Sequence, residues 1–322
     1  MWAAVFPGQG SQHVGMGRFL FENFKSTQLL FEEASDSIST DFKKLCFEGP
    51  EEILTLTENT QPALLLVSTA THKAFSETCG DSLKAVAGHS IGEYAAAVAA
   101  GSLKFSDGIK AVKLRGQAMQ SAVPVGTGAM LAVLGLEDEQ VKKICKWAEV
   151  ESKDAPLEPA NFNSPGQVVI SGKKTVTDWL KNNFKAEILN PPAKRTKFIE
   201  LKVSAPFHCS LMKPAEEQMK KVLTGVPFEK AQLPIVQNFD AKETVDGDAI
   251  REKLIRQVSA PVLWTQCINR MKEMGLQNLI ELGPGQVLSG LTKKIDSAHF
   301  KSFNITSLDD IKNLEKNIKN DR

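Results

Sequence analysis

The sequence predicts an α/β protein in which a small ferredoxin-like unit interrupts a larger α/β domain. Three observations carry this expectation. Short apolar runs at residues 2–6 and 83–87 read as buried strands, each ending in a glycine-containing turn. The second turn leads straight into an alanine-rich helical stretch, the order that builds a parallel sheet. The middle of the chain then runs β-α-β-β-α-β, the pattern of a ferredoxin-like unit.

Taken in order, residues 2–6 form a strand that leaves through the tight turn Pro7-Gly8-Gln9-Gly10. Residues 83–87 form a second strand closed by Gly88. Residues 91–100 form a helix stopped by Gly101, and Ser106 and Asp107 start the next helix, which runs to about residue 121. The insert begins with a strand at 129–134. A helix over 137–150 follows, with Val141, Ile144, Cys145 and Ala148 on one face. Strands at 158–162 and 168–171, a helix at 175–184 and a strand at 197–203 complete it. Prolines 156, 159, 191 and 192 punctuate its loops. The insert is set at residues 125–199, leaving residues 1–124 and 200–322 as one discontinuous domain. Beyond it come a helix at 211–223, a strand at 234–237, a helix at 249–257 and a helix at 261–274 with Pro261 at its start. A strand at 278–282 follows, then Gly283-Pro284-Gly285 and a charged tail.

Composition narrows the function classes. The 322 residues carry a net charge of +1, with 42% hydrophobic and 24% charged residues. This fits a folded globular protein and gives no general pull toward nucleic acid or a membrane. The five cysteines are scattered without CxxC spacing, which argues against a disulfide framework and a zinc site. With no basic leader and too short an N-terminal apolar run for a signal peptide, the expected location is the cytoplasm. A monomer is expected.

The chemistry centres on Gly88-His89-Ser90-Ile91-Gly92, a G-x-S-x-G pattern between a strand and a helix. A serine on such a turn is strained and exposed, and the helix N-terminus aims N–H groups at a developing oxyanion. The competing reading is a plain glycine turn with an exposed serine. A serine nucleophile needs a base, and the histidines are His13, His72, His89, His208 and His299. His13 follows the first turn without any mark of a base. His89 adjoins the serine and should point elsewhere. His72 reads as exposed, and His299 lies in the tail. His208, in a loop between a strand and a helix, reads either as the base or as an ordinary loop histidine. Cys209 reads as a small buried residue. Arg115, from the residues alone, reads as a solvent-facing helix position.

Taken together, the motifs resemble the malonyl-CoA:acyl carrier protein transacylase family. The matching pieces are residues 6–12 (FPGQGSQ), 88–94 (GHSIGEY), 113–119 (KLRGQAM), 163–172 (NSPGQVVISG), 207–212 (FHCSLM) and 281–285 (ELGPG). They stand in the family's order across nearly the whole chain. The resemblance implies an α/β-hydrolase-like large domain with a ferredoxin-like insert. It implies Ser90 as nucleophile, His208 as base, and the backbone N–H groups of Gln9 and Ile91 as oxyanion hole. It implies Arg115 as the holder of the substrate's free carboxylate. An α/β hydrolase supplies Asp or Glu between Ser and His, but Asp107, Asp138, Asp154 and Asp178 sit in no convincing loop. The family instead orients the histidine with a backbone carbonyl, here that of Gln257. Phe207 would favour malonyl over methylmalonyl, unless it simply packs in the core. Asn163 is a further binding candidate.

The activity so implied is malonyl transfer from malonyl-CoA to the phosphopantetheine thiol of acyl carrier protein, supplying fatty-acid synthesis, with no bound cofactor or metal. Acidic acyl carrier protein calls for basic docking surface, for which Lys113, Lys194 and Arg195 are candidates. The alternatives are the same transfer in a polyketide pathway, a G-x-S-x-G serine hydrolase, and a non-catalytic relative. The hydrolase gives no reason for Arg115 or the insert. The non-catalytic relative would be expected to lack Ser90, His208 or Arg115.

Overall fold

The computed structural model describes residues 1–80, 82–192, 195–203 and 205–320. Among the described residues, ten strands form two sheets. They are β1 (Trp2–Phe6), β2 (Leu83–Gly88), β3 (Gly128–Leu134), β4 (Leu157–Ser164), β5 (Gln167–Lys173), β6 (Lys197–Glu200), β7 (Ile235–Val236), β8 (Glu243–Thr244), β9 (Asn278–Glu281) and β10 (Lys301–Asn304). The larger sheet has the order β10-β9-β1-β2-β7-β8. Its neighbours are parallel apart from the β7–β8 pair. The smaller sheet has the order β4-β5-β3-β6 and is antiparallel throughout.

Strand alternation explains where the cores lie. All of β1 is buried, as a central parallel strand covered on both faces must be. Ala4 and Phe6 point into one hydrophobic cluster, with the helix Thr57–Cys79. Ala3 and Val5 point into another, against Trp264, Cys267, Ile268 and Met271. The small sheet divides in the same way. Leu131 and Val133 of β3 pack on Val141, Ile144 and Cys145 of the helix Asp138–Ser152. Met130 and Ala132 face the large sheet's body instead. One face of the small sheet is thus left to roof the site.

Several element boundaries shift. The helix expected from Pro261 begins at Trp264 and ends at Glu273. Pro261 does not open it, because Val262 is extended and exchanges hydrogen bonds with Ala160 and Phe162 at 2.8 and 2.9 Å. A proline suits a helix start and an extended entry equally, so only the partner strand decides. The helix expected at 211–223 is Lys213–Thr224, preceded by a short 3₁₀ turn at Ser210–Met212. The strand expected at 197–203 ends at Glu200. The charged tail supplies β10 and the amphipathic helix Leu308–Asn320.

Candidate active site

The site sits at the C-terminal ends of β1, β2 and β7, where ligands bind in open α/β sheets. Chain crowding dictates the glycines beside Ser90. A Cβ on Gly88 would lie 1.9 Å from the Gly92 carbonyl carbon, and one on Gly92 would lie 2.1 Å from the Phe6 oxygen. The strand, turn and helix therefore pass in direct backbone contact. Ser90 takes φ 51°, left-handed for a residue with a side chain. The helix Gly92–Ala99 starts just beyond it.

Oγ of Ser90 lies 2.7 Å from Nε2 of His208. Nδ1 of His208 lies 2.9 Å from the Gln257 carbonyl and 3.2 Å from the Ala260 carbonyl. Carbonyls only accept, so Nδ1 carries the proton and Nε2 is left to accept from Ser90. His208 itself has φ 58° and is 4% exposed. Burial, together with the charge of Arg115, drives its pKa down to about 3. The neutral imidazole that a base requires is therefore the resting form. Among the described residues, no aspartate hydrogen-bonds to it. Asp154 pairs with Lys173, and Asp178 with Lys174 and Lys181.

Arg115 departs most from the reading of the residues alone. It lies on the helix Phe105–Ser121 and is 1% exposed, not solvent-facing. Nη1 donates to Oε1 of Gln61 at 2.9 Å; Nη2 donates to Oε1 of Gln257 at 2.9 Å and to Oγ of Ser90 at 3.3 Å. Its acceptors are two neutral amides and a hydroxyl. No carboxylate comes within ion-pair distance of it among the described residues. A buried cation ordinarily has an anionic partner. A guanidinium fork of this kind is able to grip a carboxylate with two parallel bonds.

A cavity of about 330 Å³ opens over these groups. Its wall includes Gln9, Ser90, Ile91, Arg115, Phe207 and His208, with Met119, Met130 and Asn161 beside them. Among the described residues, the backbone N–H groups of Gln9 and Ile91 make no hydrogen bond, so both are available to an oxyanion. Phe207 is 6% exposed and faces the cavity. Asn163 does not reach the wall; its Oδ1 meets Nε2 of His89 at 2.8 Å, which turns His89 away from Ser90. Asn161, two residues earlier on β4, takes the wall position instead.

The other candidates fall away on geometry. His13 is exposed and His299 bonds the Leu276 carbonyl. His72 is half-buried against Phe6 rather than exposed. Burial raises the Cys209 thiol to about 11, so it holds no thiolate. Of the docking candidates, Lys113 is paired with Glu58 at 3.0 Å and Arg195 is exposed. Lys194 lies outside the described residues.

Sequence reasoning missed a buried polar layer beneath Ser90. Glu93 is 1% exposed, and burial raises its carboxyl to about 8 despite hydrogen bonds from Asn238 and Gln257 and the pull of Arg115. Its place on the helix directly after the serine turn was the available signal. Asn238 and the side chain of Gln257 complete the layer. Their only signal was position, at a strand end and a helix end.

Comparison with known proteins places the chain in a family. A family model described as "acyl transferase domain" matches residues 3–315. The malonyl CoA-acyl carrier protein transacylase of Escherichia coli strain K12 is 43% identical over 294 residues, covering 91% of this chain and 92% of that protein. That of Bacillus subtilis strain 168 is 44% identical, covering 91% and 90%. Among solved structures, an acyl-carrier-protein S-malonyltransferase from Burkholderia pseudomallei 1710b superposes with a TM-score of 0.90 at 40% identity, covering 98% and 99%. A malonyl-transacylase solved in complex with a type II PKS acyl-carrier protein gives 0.91 at 41%, again covering 98% and 99%. The α/β fold with its mixed sheets is the fold of these structures.

Proposed function

The chain belongs to the acyl transferase domain family, among its malonyl CoA-acyl carrier protein transacylases, and from that membership we propose how its residues perform the transfer. The enzyme moves a malonyl group from malonyl-CoA to acyl carrier protein. The observation that carries the mechanism is the cluster of Ser90, His208 and Arg115 within hydrogen-bond reach in one cavity.

Malonyl-CoA enters with its free carboxylate on Arg115, displacing the contact between the guanidinium and Ser90. Ser90 attacks the thioester carbonyl as Nε2 of His208 takes its proton. The Gln257 carbonyl keeps the ring oriented and supports the charge that forms on it. The backbone N–H groups of Gln9 and Ile91 receive the oxyanion. CoA departs as a thiol when His208 returns the proton. The phosphopantetheine thiol of acyl carrier protein then attacks the malonyl-Ser90 ester, and the same groups act again, so the kinetics are ping-pong. A carbonyl supports an imidazolium less than a carboxylate does, which a thioester leaving group tolerates. These steps use only this chain's groups and its two thioester partners.

We read residues 125–199 as a ferredoxin-like insert in an α/β-hydrolase-like domain of residues 1–124 and 200–322. The separate small antiparallel sheet supports that division. A monomer is the working unit in this reading. No helix among the described residues is long and apolar enough to cross a membrane. The five free, buried cysteines suit the reducing cytoplasm. The transfer serves fatty-acid synthesis in this reading. The likeness to a type II PKS malonyl-transacylase keeps a polyketide pathway as the second reading.

Intact-protein mass spectrometry after incubation with malonyl-CoA tests the mechanism. A malonyl adduct is expected on Ser90, discharged by acyl carrier protein. Ser90→Ala should form none, and a labelled adduct of undiminished yield in that variant would overturn the assignment.

A further inference from the structure

We propose that Asn238 is a positioning residue whose side-chain amide clamps the nucleophile turn and holds Ser90 in its left-handed conformation. Asn238 is fully buried just after β7. Its Oδ1 accepts the Ser90 N–H at 2.7 Å, and its Nδ2 donates to the Gly88 carbonyl at 2.8 Å. One amide thereby bridges the chain from the end of β2 to the serine. A left-handed residue that bears a side chain persists only where its surroundings hold it. The clamp is itself anchored, because the Asn238 backbone N–H donates to Oε1 of Glu93 at 3.0 Å. Glu93 also accepts from Nε2 of Gln257, and that nitrogen reaches the Ser90 carbonyl at 2.9 Å.

Both polar groups of the Ser90 backbone are therefore held by side chains from other segments. The site needs one acceptor and one donor on a planar group, which a primary amide supplies. Asn238 is not on the cavity wall. Its influence falls on the readiness of Ser90 to react and leaves the grip on malonyl to Arg115. The proposal rests on Ser90 being the nucleophile.

The test is Asn238→Asp. A protonated aspartic acid reproduces the pattern, its O–H donating to Gly88 and its other oxygen accepting from Ser90. An ionised one turns a second acceptor on the Gly88 carbonyl. The titratable groups around the position are Glu93 at its backbone and Cys267 at its amide, the Lys253–Asp240 ion pair that acts on both, and Arg115 and His208 beyond Gln257 and Ser90. Dividing the variant's rate by the wild-type rate at each pH removes their common contribution.

Two rates are followed in the full-length protein: malonyl-Ser90 formation, and labelling of Ser90 by phenylmethanesulfonyl fluoride, which carries no carboxylate. Both should fall at least about ten-fold at pH 8. The KM for malonyl-CoA should stay within about two-fold. The rate ratio should recover as the pH is lowered toward about 5, where a buried aspartic acid regains its proton. A pH-independent ratio, or labelling at the wild-type rate, overturns the proposal. Should Asn238→Asp not fold, Asn238→Ala carries the test, with the same loss expected and unchanged labelling again overturning it. Failure of both variants to fold makes the residue structural only and overturns it as well. Absence of a malonyl adduct in the wild type would instead count against the proposed function.

Discussion

Nη2 of Arg115 donates to Oγ of Ser90 across 3.3 Å, so a buried cation touches the hydroxyl at the centre of the cavity. In the proposed mechanism the contact links recognition to reaction: a carboxylate drawn to Arg115 would displace the serine hydroxyl, and the thioester it brings would lie beside the oxygen just released. The same closeness helps keep His208 neutral, because the guanidinium disfavours a second positive charge.

Removing the guanidinium should therefore change which acids the enzyme accepts. Each hydrogen bond to a charged group contributes about 1.5–3 kcal/mol, so losing two lowers kcat/KM for malonyl-CoA by about 100-fold or more. Arg115→Ala should at the same time gain relative activity on acetyl-CoA, which has no carboxylate. Kinetics on both thioesters decide it; an unchanged malonyl-to-acetyl preference would remove Arg115 from its role.

The pH–rate profile should lack an inflection near 6.5. The His208 pKa is depressed to about 3, so the neutral base persists well into acid. The acylation rate should stay level between about pH 5 and 8 and decline only below that range. Stability follows the same sign. Between pH 6.5 and about 3 the unfolded histidine binds a proton that the folded one does not, so this residue's contribution is lost as pH falls. An acid limb centred near 6.5 in single-turnover acylation would contradict a buried, neutral base.

Phe207 should limit the acyl group by size. It faces the cavity beside His208, so Phe207→Ser opens room for a methyl branch. The kcat/KM ratio of methylmalonyl-CoA to malonyl-CoA should rise by about ten-fold, the scale at which one carbon is discriminated. An unchanged ratio with a lowered melting temperature would show a packing role alone.

Transfer to acyl carrier protein should slow as salt is added, while acylation by malonyl-CoA should respond less. Lys202 is exposed at the cavity mouth and Arg195 is exposed nearby in sequence, so these carry the expected docking charge. Stopped-flow or discontinuous transfer rates from low to about 0.5 M salt measure this. Salt-independent transfer would argue against an electrostatic dock.

Local order alone was enough for the serine turn and for the succession of strands and helices from β3 to β6. Gly88, Ser90 and Gly92 fall within five consecutive positions, and the period of two or 3.6 residues shows through short windows. Periodicity also placed Val141, Ile144 and Cys145 on a single buried face. It could not separate a buried Arg115 from an exposed one. That depended on which helices pack over the helix Phe105–Ser121 and on the amides of Gln61 and Gln257, 54 residues before it and 142 after. For the same reason Pro261 passed for a helix start until β4 was found beside Val262.

The sequence by itself thus determined a serine on a strand–helix turn, within an α/β chain whose middle runs β-α-β-β-α-β. The tertiary structure decided what surrounds that serine: the carbonyl behind His208, the guanidinium in front of it, and the amide of Asn238 beneath the turn. Those groups come from distant segments, and the local pattern around each does not fix how near to Ser90 it comes. Hydrogen bonds at 2.7–3.3 Å depend on how whole elements pack, and packing is a property of the assembled chain.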